Sequence, residues 1–528
     1  MFDIKDFNNI SIKDILPNTN INRSQIISRY KKYCRDNKLK EDYSFIEKIQ
    51  LKPVRTLSGV VPITVLTKPF PCPGKCIFCP DDVMMPKSYL TLEPGAQRAL
   101  MNKFDPYLQV KNRIQALQNI GHQTEKIELL VLGGTWSVYP RHYQEWFIKR
   151  CLDAMNDFSF KEYTYHKNQI NFDTNILESE PELKKWKKED LEKAQILNSK
   201  AKYRCIGITL ETRPDMISQK EVEHLRFLGG TKIQLGIQST HDDILIANKR
   251  GESSKAQRDA INLLRRAGFK IQIHWMPNLY KSTPKIDKKD IEIIYKDKSY
   301  LPDEIKIYPC SVIESAELYT FWKEKKYSPY SEEELIDVLI HAKSIIPIYS
   351  RINRLIRDIP STYIFDGNKK TNMRQIVQIE MQKKGIFCKC IRCREIRNEE
   401  IKEIHFDKYE YETSVSTEYF LSFNTEGKLL GFLRLSIPKD RSHFIKELEN
   451  SSIIRELHIY GKALRIKQES DSAQHLGLGK KLLKEAEIIS KENGFEKISV
   501  ISGIGTREYY NKRGYVLNKL YQPKYING

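Results

Sequence analysis

A chain of 528 residues, 40% of them hydrophobic, is too long for one ordinary core and too apolar for global disorder, so roughly two to four domains are expected. No apolar run approaches the roughly 20 residues of a membrane span, and the opening MFDIKDFNNI lacks the basic-then-apolar pattern of a secretory leader. A formal charge of +20 suits a polyanionic partner such as nucleic acid, although a merely lysine-rich composition gives the same total. Of the ten cysteines, those in two tight groups suit metal ligation in a reducing compartment rather than disulfides, and a cytoplasmic location is expected.

In chain order, Asn22 to Lys40 has a helical pattern: Ile26, Ile27 and Tyr30 form a short apolar face, and Arg23, Arg29, Lys31, Lys32, Arg35 and Lys38 crowd the rest. This is either a solvated face or a phosphate-binding arm. The apolar run Val60–Leu66 then predicts a strand that leads into Cys72-Pro-Gly-Lys-Cys76-Ile-Phe-Cys79. Thiolates are soft ligands for zinc or iron–sulfur clusters. Three of them can hold three corners of a 4Fe–4S cubane and leave the fourth iron open to chelate S-adenosylmethionine (SAM). A zinc knuckle would need a fourth ligand close by. The spacing, Phe78 before the last cysteine and the strand-end position fit the radical SAM signature.

Short apolar runs follow at Ile127–Leu132, Cys205–Leu210, Lys232–Ile237, Lys270–Met276 and Glu304–Tyr308, separated by helical stretches. Six such strands predict parallel βα units forming a partial (βα)6 TIM-like barrel, an α/β fold whose chemistry sits at the carboxyl ends of the strands. Those ends carry Gly133-Gly134-Thr135, Glu211, Gln238-Ser239, His274 and Cys310. The glycines are expected to let backbone approach a ligand amine, with Thr135, Glu211 and Gln238 as further cofactor contacts. The stretch around Lys184–Lys193 reads as a surface excursion.

A second group, Cys388-Lys-Cys390-Ile-Arg-Cys393, is one ligand short of tetrahedral zinc, and Cys310 is the expected fourth. Cys34, Cys151 and Cys205 read as buried small hydrophobes. Beyond, Tyr419–Phe423 and Lys428–Ile437 predict a hairpin, and Ile453–Tyr460 another strand. Gln474-His-Leu-Gly477-Leu478-Gly479 then precedes an amphipathic helix, Lys480–Asn493. A glycine loop opening a helix gathers backbone N–H groups around a pyrophosphate. Followed by a strand at Lys497–Ser502 and the Tyr509-Tyr510 pair, it matches the acetyl-CoA signature of GNAT acetyltransferases. The expected domains are 1–55 (basic, tRNA-binding), 56–345 (radical SAM), 346–398 (cysteine linker) and 399–528 (GNAT).

The pairing of these two domains resembles the Elongator catalytic-subunit family. Lys52-Pro53-Val54-Arg55-Thr56, Glu211-Thr212-Arg213-Pro214-Asp215, Arg357-Asp358-Ile359-Pro360 and Arg455-Glu456-Leu457-His458-Ile459-Tyr460-Gly461 carry the likeness. The short Cys72–Cys76 spacing is closer to the archaeal and bacterial single-protein type. The resemblance implies a transferase that installs a carboxymethyl group on carbon 5 of the tRNA wobble uridine, with acetyl-CoA as carbon donor. It implies a 4Fe–4S cluster on Cys72, Cys76 and Cys79, and coenzyme contacts at Lys126, Glu456, Leu457, His458, Ile459, Gln474, Gly477, Leu478, Gly479, Lys480, Lys481 and Tyr510. Lys126 and Tyr510 are the expected catalytic pair beside the cluster cysteines. Expected partners are the anticodon stem-loop and a reductant, with a homodimer and Elongator-type subunits left open. The rival reading is a protein lysine acetyltransferase of histone or tubulin type with a structural cluster.

Overall fold

The computed structural model describes residues 23–39, 41–51, 59–157, 187–397, 399–460 and 477–526. The expected basic helix runs Arg23–Asp36 and docks by burying Ile26, Ile27 and Cys34, while Lys31 Nζ donates to Gln118 O at 2.9 Å.

The first sheet is wholly parallel. It contains β1 (Val60–Leu66), β2 (Lys126–Leu132), β3 (Arg204–Thr212), β4 (Gly230–Gln238), β5 (Lys270–Trp275), β6 (Glu304–Ile307) and, beyond a short two-stranded sheet of β7 (Val312–Ile313) and β9 (Ile364–Asp366), β8 (Arg351–Arg354). The strand order β1-β2-β3-β4-β5-β6-β8 follows the chain, as right-handed βα crossovers require. β8 is a seventh strand that joins the six expected ones, formed by a segment read from sequence as linker. Outward-facing Ile127, Leu129, Val131, Ile233, Leu235, Ile271 and Ile273 pack under the crossover helices in one large core.

The second sheet runs β10 (His405–Glu412), β11 (Ser416–Thr425), β12 (Lys428–Pro438), β13 (Ser451–Ile459), β14 (Lys497–Val500) and β15 (Gln522–Tyr525). All neighbours are antiparallel except β13 and β14. These two pair only over Ser451–Ile454 and Lys497–Val500, so from Arg455 onward β13 stays paired with β12 alone and the sheet opens on its β14 side. The helix Leu478–Glu492 buries Leu482, Leu483, Ala486 and Ile489 against this sheet. No helix among the described residues is long and apolar enough to cross a membrane.

The second domain packs on the amino ends of the barrel strands. Gly503 lies so close to the start of β3 that a Cβ there would stand 1.9 Å from Ile206 O. Arg226 Nη2 donates to Ser502 O and its Nε to Leu520 O, each at 2.8 Å. The register slips between β12 and β13, making Arg455 a bulge residue that reaches across to the barrel. Its guanidinium forks onto Asp303 at 2.6 and 2.8 Å and donates to Phe269 O at 2.8 Å, while its Nε meets Glu418 at 2.8 Å. Burial alone would raise the Asp303 carboxyl, but Arg455 and Arg434 hold it below the usual carboxylate range.

A depressed carboxyl contributes stability that is present above its unfolded value and lost as pH falls toward the folded one. Arg455→Ala is expected to cost about 3–5 kcal/mol by stranding Asp303 in the interface. In urea unfolding the gap to the wild type should close as pH drops below about 4. A gap independent of pH would show that the pair is not its source.

Candidate active site

The cysteine loop follows β1 at the carboxyl end of the barrel. Cys72 Sγ lies 3.4 Å from Thr135 Oγ1, and Arg250 Nη1 donates to Cys76 Sγ at 3.5 Å. Burial, together with the neighbouring Cys76 sulfur, pushes the Cys79 thiol up to about 12. Among the described residues, the Cys, His, Asp and Glu trio with all ligand atoms within 4.8 Å of one another is Cys388, Cys390 and Cys393. Cys72, Cys76 and Cys79 do not meet that single-ion spacing, which suits a multi-iron cluster better than one ion. Gly74 keeps the loop against Arg213, where a Cβ would stand 2.3 Å from Nη1. Arg213 is fixed in turn by Asp215 at 2.8 and 2.9 Å.

The glycine pair after β2 is required by the protein's own packing. A Cβ on Gly133 would meet Thr67 Oγ1 at 1.9 Å, so its missing side chain admits that threonine. Gly134 faces the Lys87 backbone in the same way, at 3.3 Å. Glu211 accepts from Tyr89 Oη at 2.7 Å and faces His274 Nδ1 at 3.6 Å, with its carboxyl raised by burial. Gln238 sits at a left-handed φ of 65°, and it lines the same cavity as Glu211 and Cys79.

That cavity, about 1390 Å³, fills the barrel lumen and runs to the second domain, where Glu456, Leu457, His458, Tyr460, Ser502 and Tyr510 line it. The elements expected to contact a coenzyme meet there. Gly477 caps the helix Leu478–Glu492 with φ 69°, and a Cβ on Gly479 would stand 2.8 Å from Tyr509 Oη, so the loop has a shape that glycine alone permits. Lys480 and Lys481 lie in the first turn of that helix. Burial raises Tyr510 and lowers His458 to about 4, and His458 stacks on Phe432 with ring centres 6.0 Å apart. Lys126 opens β2, paired with Val60 and Arg204, at the end of the barrel that the second domain covers. Burial and Arg204 lower its ammonium. Gln474 lies outside the described residues.

Cys388, Cys390 and Cys393 come together beside β8, and hydrogen bonds from Cys388 and Cys393 draw the Cys390 thiol well below its ordinary range. Cys310 does not join them. It packs with Ile77, Leu279, Val312 and Tyr327 near the Cys72–Cys79 loop, because β6 ends at the opposite side of the barrel from the linker. The expected four-cysteine set is therefore corrected to three.

The lumen holds charges that the strand reading passed over. Lys232 bridges Glu128 at 2.5 Å and Glu304 at 3.3 Å, and Lys270 bridges Glu304 at 3.3 Å and Glu456 at 2.5 Å. Burial alone would raise Glu456, but Lys270 and Arg434 hold it down. The signal was in the sequence as a polar residue at every second position: Lys232 and Gln234, Lys270, Gln272 and His274, Glu304 and Lys306. Arg98, Arg113, Arg354, Arg374, Arg392 and Arg397 also line the cavity.

Family profiles match this division: the Radical SAM superfamily over residues 71–285, the Radical_SAM C-terminal domain over 302–383 and the Acetyltransferase (GNAT) family over 389–515. The protein is thus a radical SAM–GNAT fusion. A tRNA uridine(34) acetyltransferase of Methanocaldococcus infernus is 44% identical over 487 residues, covering 88% of this chain and 86% of the relative. That of Dehalococcoides mccartyi is 36% identical over 486 residues, covering 90% and 99%. Elongator complex protein 3 of Homo sapiens is 32% identical over 500 residues, covering 91% and 86%. The solved archaeal M. infernus Elp3 with an N-terminal deletion superposes with a TM-score of 0.74 at 39% identity, covering 89% of this chain and all of that one. The chain belongs to the family of tRNA uridine(34) acetyltransferases and Elongator complex protein 3.

Burial lowers the Lys306 ammonium from its ordinary 10.5 to about 8, with Glu211 opposing the shift. The unfolded chain then binds more protons than the folded one between those values, so this group makes stability rise with pH across that window. Lys306→Met should lack the rise. Urea unfolding at about pH 7 and about pH 10 should show the wild type gaining on the order of 3 kcal/mol relative to the variant. Parallel profiles would place the Lys306 proton elsewhere.

Proposed function

We infer that this chain modifies the wobble uridine of tRNA at carbon 5, leaving a carboxymethyl group whose carbons come from acetyl-CoA. The observation that carries the reading is the single cavity joining Cys79 at one end to Glu456, His458 and Tyr510 at the other. Relatives named for uridine 34 support the substrate. Cys72, Cys76 and Cys79 would hold the 4Fe–4S cluster, with Glu211 and Gln238 facing SAM. The Gly477–Lys481 turn, Glu456–Ile459, Lys126 and Tyr510 would hold acetyl-CoA. Together these groups supply a 5′-deoxyadenosyl radical able to take hydrogen from the acetyl methyl group.

The chain's own side chains do the rest. Arg250 hydrogen-bonds Cys76 and so orients the loop. Tyr510, kept protonated by burial, can donate to the thioester oxygen. The arginines that line the cavity suit the phosphates of an anticodon loop, whose unpaired base can be splayed inward. Zinc on Cys388, Cys390 and Cys393 would fix the linker, with its fourth ligand from outside the cysteine set. An external reductant must charge the cluster. A lysine acetyltransferase fits less well, because β13 faces a barrel lumen whose carboxylates are already paired with Lys232 and Lys270 rather than an acidic groove open to a peptide.

With acetyl-CoA deuterated in the methyl group, deuterium should appear in 5′-deoxyadenosine and the RNA should gain the carboxymethyl mass. Cys76→Ser should abolish both while leaving coenzyme binding intact. Modification by Cys76→Ser would sink the radical reading. Metal analysis should show Cys390→Ser losing zinc and keeping iron, and the Cys72, Cys76 and Cys79 triple serine variant losing iron with its broad visible absorption. Unchanged iron in the triple variant would refute the cluster assignment.

A further inference from the structure

Gln234 on β4 and Gln272 on β5 are register partners, 1% and 0% exposed, and both line the cavity. Each amide has one half committed, and the partner decides which half. Lys306 Nζ donates to Gln234 Oε1 at 2.7 Å. An ammonium cannot accept, so this amide cannot turn over, and Gln234 Nε2 is left without a partner among the described residues. Gln272 Nε2 donates to Glu304 at 2.7 Å. Burial alone would raise Glu304, but Lys232 and Lys270 hold it ionised, so it can only accept. Gln272 Oε1 is therefore the orphan on β5. Asn353, beyond Glu304 on β8, repeats the arrangement: its Nδ2 donates to Glu304 at 2.8 Å and its Oδ1 lacks a partner.

An adjacent donor and acceptor, buried and unpaired in a cavity, call for a ligand with the complementary pair. Uracil has one: O4 accepts and the neighbouring N3–H donates. Cytosine reverses both, with an amino group at C4 and a lone pair at N3. The two glutamines stand one inward step, about 6–7 Å, from Lys270 toward the coenzyme and from His274 toward the cluster loop. Binding uracil by O4 and N3 leaves carbon 5 off the bound edge.

We propose that Gln234 and Gln272 select uracil, Gln234 donating to O4 and Gln272 accepting from N3–H. This rests on the wobble-uridine reading above. The test is fluorescence anisotropy of the full-length protein with anticodon stem-loop RNA bearing uridine, cytidine or N3-methyluridine at the wobble position. The wild type should bind the uridine RNA at least tenfold more tightly than either of the others. Gln234→Met with Gln272→Met should bind all three as the wild type binds the cytidine RNA. The N3-methyl comparison needs no variant, so misfolding of the double variant does not rescue the idea. Equal binding of the three RNAs by the wild type would mean that water occupies the orphan groups. The glutamine assignment would then fall and the tRNA reading stand. If no stem-loop RNA binds at all, the wobble-uridine reading itself is overturned.

Discussion

Asp303 holds the two domains in register. It is wholly buried just before β6, and it receives two arginines, Arg455 and Arg434, from the second sheet. A buried carboxylate with one cation gains little over its desolvation, whereas one ringed by geometrically fixed guanidinium donors gains orientation as well. The bulge at Arg455 makes the reach possible, since a regular strand would turn that side chain to the other face. The next residue, Glu456, then faces the lumen and meets Lys270, so one backbone irregularity fixes both the interface and the second-domain end of the cavity.

From that point ion pairs continue through the barrel. Glu456, Lys270, Glu304, Lys232 and Glu128 alternate in sign, so that buried charge is compensated at each step. Such a lining keeps a wide polar lumen from collapsing into an apolar core. It also fixes the orientation of the neutral amides beside it, because cations and carboxylates each leave an amide only one way to face them.

The architecture was largely legible in the sequence because its signals are local. Strand runs, the C-x3-C-x2-C loop and the glycine turn before a helix each lie within a dozen residues. The six expected barrel strands match within a few residues at either end, and the helix expected at Lys480–Asn493 runs Leu478–Glu492. Five strands escaped notice, among them the two-residue β7 and the three-residue β9. β8 is only four residues with two arginines, β10 is almost entirely exposed and rich in charge, and β15 contains a proline. Their strand character comes from neighbours rather than from their own composition. The placement of Cys310 failed for a related reason: spacing identifies a ligand deficit, but only the tertiary fold says which thiol is near. The contact of Gly133 with Thr67 could not be foreseen either, because a glycine's neighbour is invisible until the chain has folded.

In most barrels of this type the amino ends of the strands serve stability alone, while chemistry occupies the other face. Here the second domain turns the amino face into working surface. Lys270, Asp303 and the approach of Gly503 to β3 tie it to the coenzyme strand. The protein is therefore not modular in the usual sense of two enzymes on a string. Cutting between the sheets would strand buried charges on both pieces, so the halves cannot be exchanged, permuted or evolved separately without rebuilding the seam.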